Sequence, residues 1–267
     1  MSLEFKSEDF PVELYKTDRE IAVQAPSWFS NPKTPFEQFQ KAFEKDYVTA
    51  ARDFGARPVA SYNAYFSDPE IVERRCNRER KSPIDEMGSF ALWFRPMGFS
   101  YYLAIDLGIK SDATGLVLVH PEGNRIIVDL VHRFVPLKEA EVRFSDIIFF
   151  IKELQNRGFF IKLVTTDSFQ SLNFVQSLTE MGLECEVYSV DRNMQAYEVL
   201  KSLIIEDRID YYNHAVLIKE LKELVLISNK RIDHPKDGSK DCSDALASCC
   251  FHAVAECSNS PFFFSSF

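Results

Sequence analysis

The 267-residue chain has enough apolar side chains for a globular core and carries a net negative charge. Hydrophobic residues make up 46% of it, and the formal net charge is −9 at pH 7. This length accommodates one large domain, or one domain with an accessory segment. The acidic balance argues against a protein that coats nucleic acid, because affinity for the phosphate backbone comes mainly from Lys and Arg. It still allows DNA binding through a local basic surface.

The cysteines and the apolar runs indicate a cytosolic protein. The sequence contains six Cys residues, but no CxxC pair and no Cys/His spacing typical of a zinc site. We therefore expect reduced thiols. The longest apolar runs, such as IIFFI at 147–151, are too short to span a bilayer, and no signal peptide is recognisable. We accordingly expect no membrane association.

Residues 1–98 are predicted to form a mostly helical or irregular accessory segment, which holds eight of the twelve prolines. Within it, residues 35–52 are predicted to be a helix, with Thr34 as the N-cap and Pro35 at the first helical position. The charged stretch IVERRCNRERKSP, residues 71–83, is predicted to be a solvated helix. A basic patch that faces DNA is the alternative, although two Glu residues dilute its positive charge.

Beyond the accessory segment the hydrophobic pattern becomes regular. Residues 101–107, 114–120 and 125–134 are apolar runs separated by short turns, which predicts three strands in an antiparallel meander. The later predicted elements are helix 139–158, strand 159–167, helix 171–182, strand 183–190, helix 195–208, strand 209–212, helix 213–228, strand 231–235 and helix 240–257. We therefore predict an α/β domain over 99–257, in which three antiparallel strands and then parallel strands form a mixed sheet flanked by helices. A tail, 258–267, follows it.

Four carboxylates occur where these predicted elements begin or end. Asp106 and Asp167 each end an apolar strand, whereas Asp241 and Asp244 share one face at the start of the last helix. Singly, such residues cap turns or favour the helix dipole. If they converge, the like charges repel unless a cation neutralises them. Oxygen ligands suit Mg²⁺ or Mn²⁺, and two such ions can catalyse phosphodiester hydrolysis. Asp112 would then be an outer ligand or a positioning group.

Ordered motifs in this region resemble the C-terminal nuclease domain of tailed-phage terminase large subunits. They are AIDLGIKSDATGLVLV at 104–119, VTTDSFQS at 164–171 and RIDHPKDGSKDCSDALA at 231–247. The resemblance covers about residues 100–256 and implies a ribonuclease H-like fold. It also implies a metal-dependent endonuclease that cuts concatemeric viral DNA during genome packaging in the cytoplasm of the host cell.

The resemblance implies roles for the four carboxylates. Asp106 and Asp167 would bind the two metal ions, Mg²⁺ or Mn²⁺. A third carboxylate would come from the motif KDCSDAL, residues 240–246. Members of this family differ in which position of the motif ligates metal, so Asp241 and Asp244 both stay open, with Asp244 preferred as the direct ligand.

Three more residues are expected near the site. Lys240, together with Asp241, would flank the scissile phosphate or the second metal. Asp112 matches an extra acidic position that some relatives of this family carry. His234 could approach the site as an auxiliary residue, whereas a structural role beside the loop residue Pro235 is the alternative.

The chain lacks the motif GxxxxGK[ST], the phosphate-binding loop of an ATPase motor. Because a complete terminase large subunit couples such a motor to the nuclease, we expect a fragment or a naturally split product that neither hydrolyses ATP nor translocates DNA alone. Double-stranded DNA, the ATPase domain, the small terminase subunit and the portal protein are the expected partners.

Two functions of other classes fit part of the pattern. A phosphotransferase of the actin and hexokinase fold would use Asp106 and Gly108 in its first phosphate loop. It would also need a second phosphate loop and a glycine-rich adenosine site, neither of which is visible among nine Gly residues. A non-catalytic docking module for the portal or the small terminase would keep the fold without the chemistry. The presence of every acidic position favours the nuclease over a module that has lost catalysis.

Overall fold

The chain forms two compact units, Met1–Asp68 and Pro69–Phe267. The division between them lies before residue 98, where the sequence predicts the end of the accessory segment. Ile84 and Phe94 lie in the buried core of the second unit, which shows that this part of the predicted segment packs with the sheet domain. The computed structural model describes residues 7–31, 33–45, 47–57, 64–85, 88–108, 112–136, 142–167, 172–227, 231–235 and 238–258.

The first unit contains a two-stranded hairpin and a small group of helices. Strand β1 (Glu13–Lys16) pairs antiparallel with β2 (Ile21–Gln24), and the helices α1 (Ser27–Ser30), α2 (Gln40–Lys45) and α3 (Tyr47–Asp53) follow. Aromatic and small side chains form the buried core of this unit, namely Phe10, Phe36, Phe43, Ala50 and Ala51.

The helix predicted over 35–52 begins differently from the prediction. A short 3-10 helix, Phe36–Phe39, precedes α2 and α3. Thr34 is not the N-cap, because its hydroxyl donates to the backbone oxygen of Asn31 at 2.9 Å. Pro35, which has an extended backbone, occupies the cap position and supplies no side-chain hydrogen bond.

The second unit begins with a helix that is shorter than predicted. Helix α4 covers Glu70–Arg75, whereas the sequence predicts a helix over the whole charged stretch. The backbone becomes extended at Cys76. Further on, Arg80 donates to the carboxylate of Asp210 at 3.1 Å and to the backbone oxygen of Val128 at 2.9 Å. Contacts with the sheet therefore replace helical hydrogen bonds in this stretch.

The predicted antiparallel meander is confirmed. It consists of β3 (Ser100–Asp106), β4 (Thr114–Glu122) and β5 (Arg125–Phe134), with β4 paired antiparallel to both neighbours. Strand β4 runs two residues further than predicted, because Pro121 and Glu122 still pair with β5. The turn between β4 and β5 is correspondingly tight.

Parallel strands extend the meander on both sides, as the prediction of a mixed sheet requires. β6 (Phe160–Thr166) pairs parallel with β3, β7 (Cys185–Val187) pairs parallel with β6, and β8 (Ile209–Asp210) pairs parallel with β5. The six-stranded sheet has the order β7-β6-β3-β4-β5-β8. Its central strand β3 therefore ends next to the end of β6, which brings Asp106 and the residue after β6 to the same edge of the sheet.

Helices of the second unit cover both faces of this sheet. In the described residues, the helices that follow α4 are α5 (Phe144–Asn156), α6 (Leu172–Glu180), α7 (Gln195–Ile205), α8 (Ala215–Glu223) and α9 (Asp241–Ser258). None of the helices in the described ranges combines the length and the apolar character that a bilayer span requires.

The helix predicted over 213–228 is wrong in its second half. Helix α8 ends at Glu223, and the backbone of Leu224 is extended (ψ 134°). Val225–Ile227 forms strand β9, which pairs antiparallel with β10 (Arg231–Asp233). The available partner strand thus overrides the helical periodicity of this segment. Of the predicted tail 258–267, everything beyond the last residue of α9 lies outside the described residues.

Alternating residues of the central strand face two different layers of helix. Tyr101, Leu103 and Ile105 belong to a core shared with buried side chains of α5 and α6. On the opposite face, the Cys249 thiol of α9 lies 3.4 Å from the backbone oxygen of Tyr102. Asp106 shares this second face by the same alternation, so the carboxylate that ends β3 points toward the layer that contains α9.

Candidate active site

A glycine brings the first turn of α9 against the edge of the sheet. Gly115 on β4 lies opposite Asp106 on one side and Arg133 on the other. A Cβ atom at Gly115 would lie 2.1 Å from the backbone oxygen of Asp241. Because any side chain would push the helix away, glycine permits the close approach. The start of α9 is thereby placed beside Asp106.

The four predicted carboxylates line one cleft of about 650 Å³. They are Asp106 at the end of β3, Asp167 directly after β6, and Asp241 and Asp244 in the first turn of α9. Asp167 accepts a hydrogen bond from the backbone amide of Leu107 at 3.3 Å, which ties the ends of the two neighbouring strands together. The structure therefore brings together the residues that the sequence selects as metal ligands.

Burial and neighbouring charges raise the pKa of carboxyl groups in the cleft. Burial raises the pKa of Asp106 well above its ordinary value. The negative charges of Asp244, Asp167 and Asp241 raise the pKa of this carboxyl further. Burial also raises the pKa of Asp167, although the hydrogen bond from Leu107 opposes it. Like charges thus face one another without full compensation, an arrangement that favours a bound cation or a bound proton.

Asp244 has a partner at each of its two carboxylate oxygens. The residue is 7% exposed, and the hydroxyl of Tyr197 donates to its Oδ1. Its Oδ2 lies 3.0 Å from the ammonium of Lys240, which also lies 2.6 Å from Oδ1 of Asp191. Burial raises the pKa of Asp244 to about 6, against the opposing effect of Lys240.

The second cation of the cleft, Arg133, binds Asp241. Its Nε and Nη2 both donate to Oδ2 of Asp241, at 3.0 and 2.9 Å. Burial lowers the pKa of Lys240, but its ion pairs with Asp244 and Asp191 outweigh this effect and raise it. Both acidic residues in the first turn of α9 are therefore paired with basic side chains. Asp106 and Asp167 instead interact with each other.

The donor chemistry of the cleft fits a hard divalent cation, because it offers carboxylate oxygens and no thiolate. Within the described parts of the chain, no three Asp, Glu, His or Cys side chains form a group that could hold a metal ion as they stand. Arg133 and Lys240 hold the carboxylates of α9 in ion pairs instead. A cation would compete with these two side chains for Asp241 and Asp244, and it would relieve the repulsion at Asp106.

The other two predicted residues lie on the wall of the same cleft. Asp112, just before β4, is exposed. The ring of His234 contacts the backbone oxygen of Pro235 at 2.7 Å, and its backbone amide donates to Asp233 at 2.9 Å. Its hydrogen-bonding partners are thus the residues directly before and after it in the chain.

Sequence reasoning missed the residues that hold the carboxylates in place. These residues are Arg133 on β5, Asp191 in the short 3-10 helix Val190–Arg192, and Tyr197 on α7. No short motif links them to the acidic residues. Glu220 could have been identified from the sequence as a residue of interest, because it lies three residues after Leu217 on the apolar face of α8. The structure shows that it is buried there. A charged residue on a buried helical face needs a partner.

Solved structures of phage large terminases share this fold. The large terminase nuclease from thermophilic phage G20c has a TM-score of 0.55 at 15% identity, covering 70% of this chain and 97% of that chain. The same nuclease with bound magnesium gives 0.55 at 14% identity, with 71% and 97% covered. The HK97 bacteriophage large terminase gives 0.55 at 18% identity, covering 81% of this chain and 50% of that chain. The chain thus corresponds to about half of the HK97 protein.

No protein-family model and no curated protein matches the chain. The structural likenesses therefore bear on the fold of the chain alone. The chain has the ribonuclease H-like fold of the nuclease domains of phage large terminases.

Proposed function

We propose that the chain is a metal-dependent endodeoxyribonuclease that cuts concatemeric viral DNA during genome packaging. The observation that carries this proposal is the convergence of four carboxylates on one cleft, in a fold shared with terminase nucleases. The G20c nuclease is known with bound magnesium and with bound cobalt, which supports a divalent cofactor. For this chain we propose two Mg²⁺ or Mn²⁺ ions.

Bound divalent cations would supply an activated water and stabilise the leaving oxygen in phosphodiester cleavage. Asp106 and Asp167 would hold them from the ends of adjacent strands. We assign the third ligand to Asp244, because it lines a smaller pocket together with Asp106 and Asp167, whereas Asp241 does not line that pocket. Asp241, which Arg133 holds through two hydrogen bonds, would occupy the outer position.

The two basic side chains of the cleft, Lys240 and Arg133, would bind the substrate. The phosphodiester carries a negative charge, and the Lys240 ammonium and the Arg133 guanidinium both line the cleft. Either group can donate to a phosphate oxygen, and Arg can do so through two hydrogen bonds. Each basic side chain would have to bind the phosphate in addition to its present carboxylate partner. These two side chains would therefore orient the scissile group against the carboxylates.

We also propose that the chain acts as part of a larger packaging assembly. The chain corresponds to about half of the HK97 large terminase. We propose that double-stranded DNA is the substrate, and that the ATPase domain, the small terminase subunit and the portal protein are partners in the host cytoplasm. The net charge of −9 suits such an arrangement, since other components would supply most of the DNA affinity.

Cleavage of supercoiled plasmid in EDTA, Mg²⁺ or Mn²⁺ tests the proposal. We expect nicked and linear products with either metal and none in EDTA, and we expect Asp106→Asn to abolish them. Asp210→Asn is a matched control, because Asp210 also ends a strand but does not line the cleft. Cutting that persists in Asp106→Asn would place the activity elsewhere.

A non-catalytic docking module is the second candidate. The ion pairs that occupy Asp241 and Asp244 favour it, because they neutralise the carboxylates of α9 without a metal. A folded wild type that binds no divalent cation and cuts no DNA would support this candidate. Cutting that requires metal and Asp106 would exclude it.

A further inference from the structure

The buried carboxylate of Glu220, which does not line the cleft, binds the segment that carries Lys240, Asp241 and Asp244. Glu220, on α8, is 2% exposed. Its Oε1 accepts a hydrogen bond from the hydroxyl of Ser239 at 2.7 Å. Its Oε2 accepts a hydrogen bond from the backbone amide of Ser243 at 2.9 Å. One side chain thus fixes two points of the chain, one before α9 and one within its first turn.

The amide that Glu220 binds is one that the helix itself cannot satisfy. The first four amides of an α-helix have no partner within the helix, and Ser243 is the third residue of α9. A carboxylate at this end of a helix is favoured by the helix dipole as well. The cap therefore comes from another helix, so the start of α9 is set by its packing against α8.

The two bonds bracket residues of the proposed site. Lys240 and Asp241 lie between Ser239 and Ser243, and Asp244 follows directly. The hydroxyl of Ser243 donates to the backbone oxygen of Lys240 at 3.0 Å, which ties the bracketed turn together. A shift of either serine would move the Lys240 ammonium and the carboxylates of Asp241 and Asp244 relative to Asp106.

Burying an ionisable group here is costly, which indicates that a specific contact is required. Burial raises the pKa of Glu220 to about 7, although the hydrogen bonds from Ser239 and Ser243 oppose the change. An apolar residue would suit the surrounding face of α8, where Leu217 and Leu221 are fully buried. Such a residue could not accept either hydrogen bond.

We propose that Glu220 is a positioning residue of the nuclease site, which sets the placement of Lys240, Asp241 and Asp244 through Ser239 and Ser243. The proposal rests on the proposed nuclease function. Glu220 contacts neither substrate nor metal in it. Groups that orient metal ligands from behind typically change metal affinity or activity by about 10- to 100-fold when they are removed.

The test compares Glu220→Ala and Glu220→Gln with the wild type in Mn²⁺ calorimetry and in plasmid cleavage. We expect Glu220→Ala to weaken Mn²⁺ binding and to lower kcat, each by about 10- to 100-fold, with little change in KM for DNA. Glu220→Gln should recover much of both losses, because its amide oxygen can still accept the bond from Ser243. Should Glu220→Ala not fold, Ser239→Ala, which removes one of the two donors, takes its place with the same expected direction.

Asp129→Asn is the matched control for the loss of a buried carboxylate. Asp129 is 8% exposed, pairs with His120 at 2.6 Å and does not line the cleft. The Asp129→Asn substitution should lower the melting temperature without changing Mn²⁺ affinity or kcat. Unchanged Mn²⁺ affinity and kcat in folded Glu220→Ala would overturn the inference, as would an equal loss of both in Asp129→Asn.

The outcomes separate this inference from the proposed function. If the wild type binds Mn²⁺ but cuts no DNA, the nuclease proposal fails, whereas the Mn²⁺ affinities of the Glu220 variants still decide the positioning role. If the wild type binds no Mn²⁺, both proposals are overturned. If the wild type cuts DNA and the Glu220 variants match it in kcat and Mn²⁺ affinity, the positioning role alone is refuted.

Discussion

Asp244→Asn should make the metal-free protein more stable, although it removes a proposed metal ligand. The folded-state pKa of Asp244 is about 6, above its ordinary value of 3.8. Ionisation of this group therefore favours the unfolded chain. Its penalty is nearly absent below pH ~4, grows as the pH rises, and is complete above the folded-state pKa. About two pKa units correspond to about 3 kcal/mol of unfolding free energy, at about 1.36 kcal/mol per unit.

Urea unfolding in EDTA measures this effect. Asparagine resembles the protonated carboxyl and keeps an oxygen that can accept the bond from Tyr197. We expect the variant to exceed the wild type by up to about 3 kcal/mol at pH 8, and by roughly half as much at pH 5. Asp112→Asn, which removes an exposed carboxylate of the same cleft, should change stability by no more than about 0.5 kcal/mol.

Metal should reverse the order of the two proteins. A ligand that binds only the folded state at 1,000 times its Kd stabilises it by about 4.1 kcal/mol, which exceeds the penalty of about 3 kcal/mol. The wild type should gain this amount in Mn²⁺, whereas Asp244→Asn should gain much less. Equal or lower stability of the variant at pH 8 in EDTA would refute the electrostatic reasoning, and so would a gain that does not depend on pH.

Three further changes test other parts of the site. Asp167→Asn should abolish metal-dependent plasmid cleavage with the circular dichroism spectrum unchanged, and retained cleavage would remove Asp167 from the ligand set. Gly115→Ala should cost about 1–3 kcal/mol in urea unfolding and reduce cleavage, because its methyl group would meet the backbone of Asp241; a variant with normal stability and activity would show that the close approach is not needed. Lys240→Met should raise the pKa of Asp244 further, since Lys240 lowers it, and an unchanged titration of this carboxyl in NMR would contradict the ion pair.

The regular half of the chain could be predicted because its signals are local. Strands β3, β4 and β5 are apolar runs with turn residues between them, and the structure places them as predicted. The convergence of Asp106 and Asp167 followed from one further rule, that neighbouring parallel strands end at the same edge. Both carboxylates then line the cleft.

The parts that escaped prediction depend on contacts between distant segments. The helix predicted over 213–228 fails at β9, where pairing with β10 decides the conformation. Arg133 reaches Asp241 from 108 positions away, and Glu220 reaches Ser243 from 23 positions away. The periodicity of α8 does not show which residue a buried carboxylate will bind. These contacts could therefore be identified only from the structure.

The position of α9 in the chain has a consequence for synthesis. This helix carries Asp241 and Asp244 and covers the second face of the sheet, yet it follows every strand of that sheet. During translation the apolar strands emerge first, and they stay uncovered on that face until the helix arrives. The nascent chain should therefore be prone to association while it is still inactive. A version that ends at Gly238 should bind a dye for exposed apolar surface, and weak dye binding would show that the sheet is protected in another way.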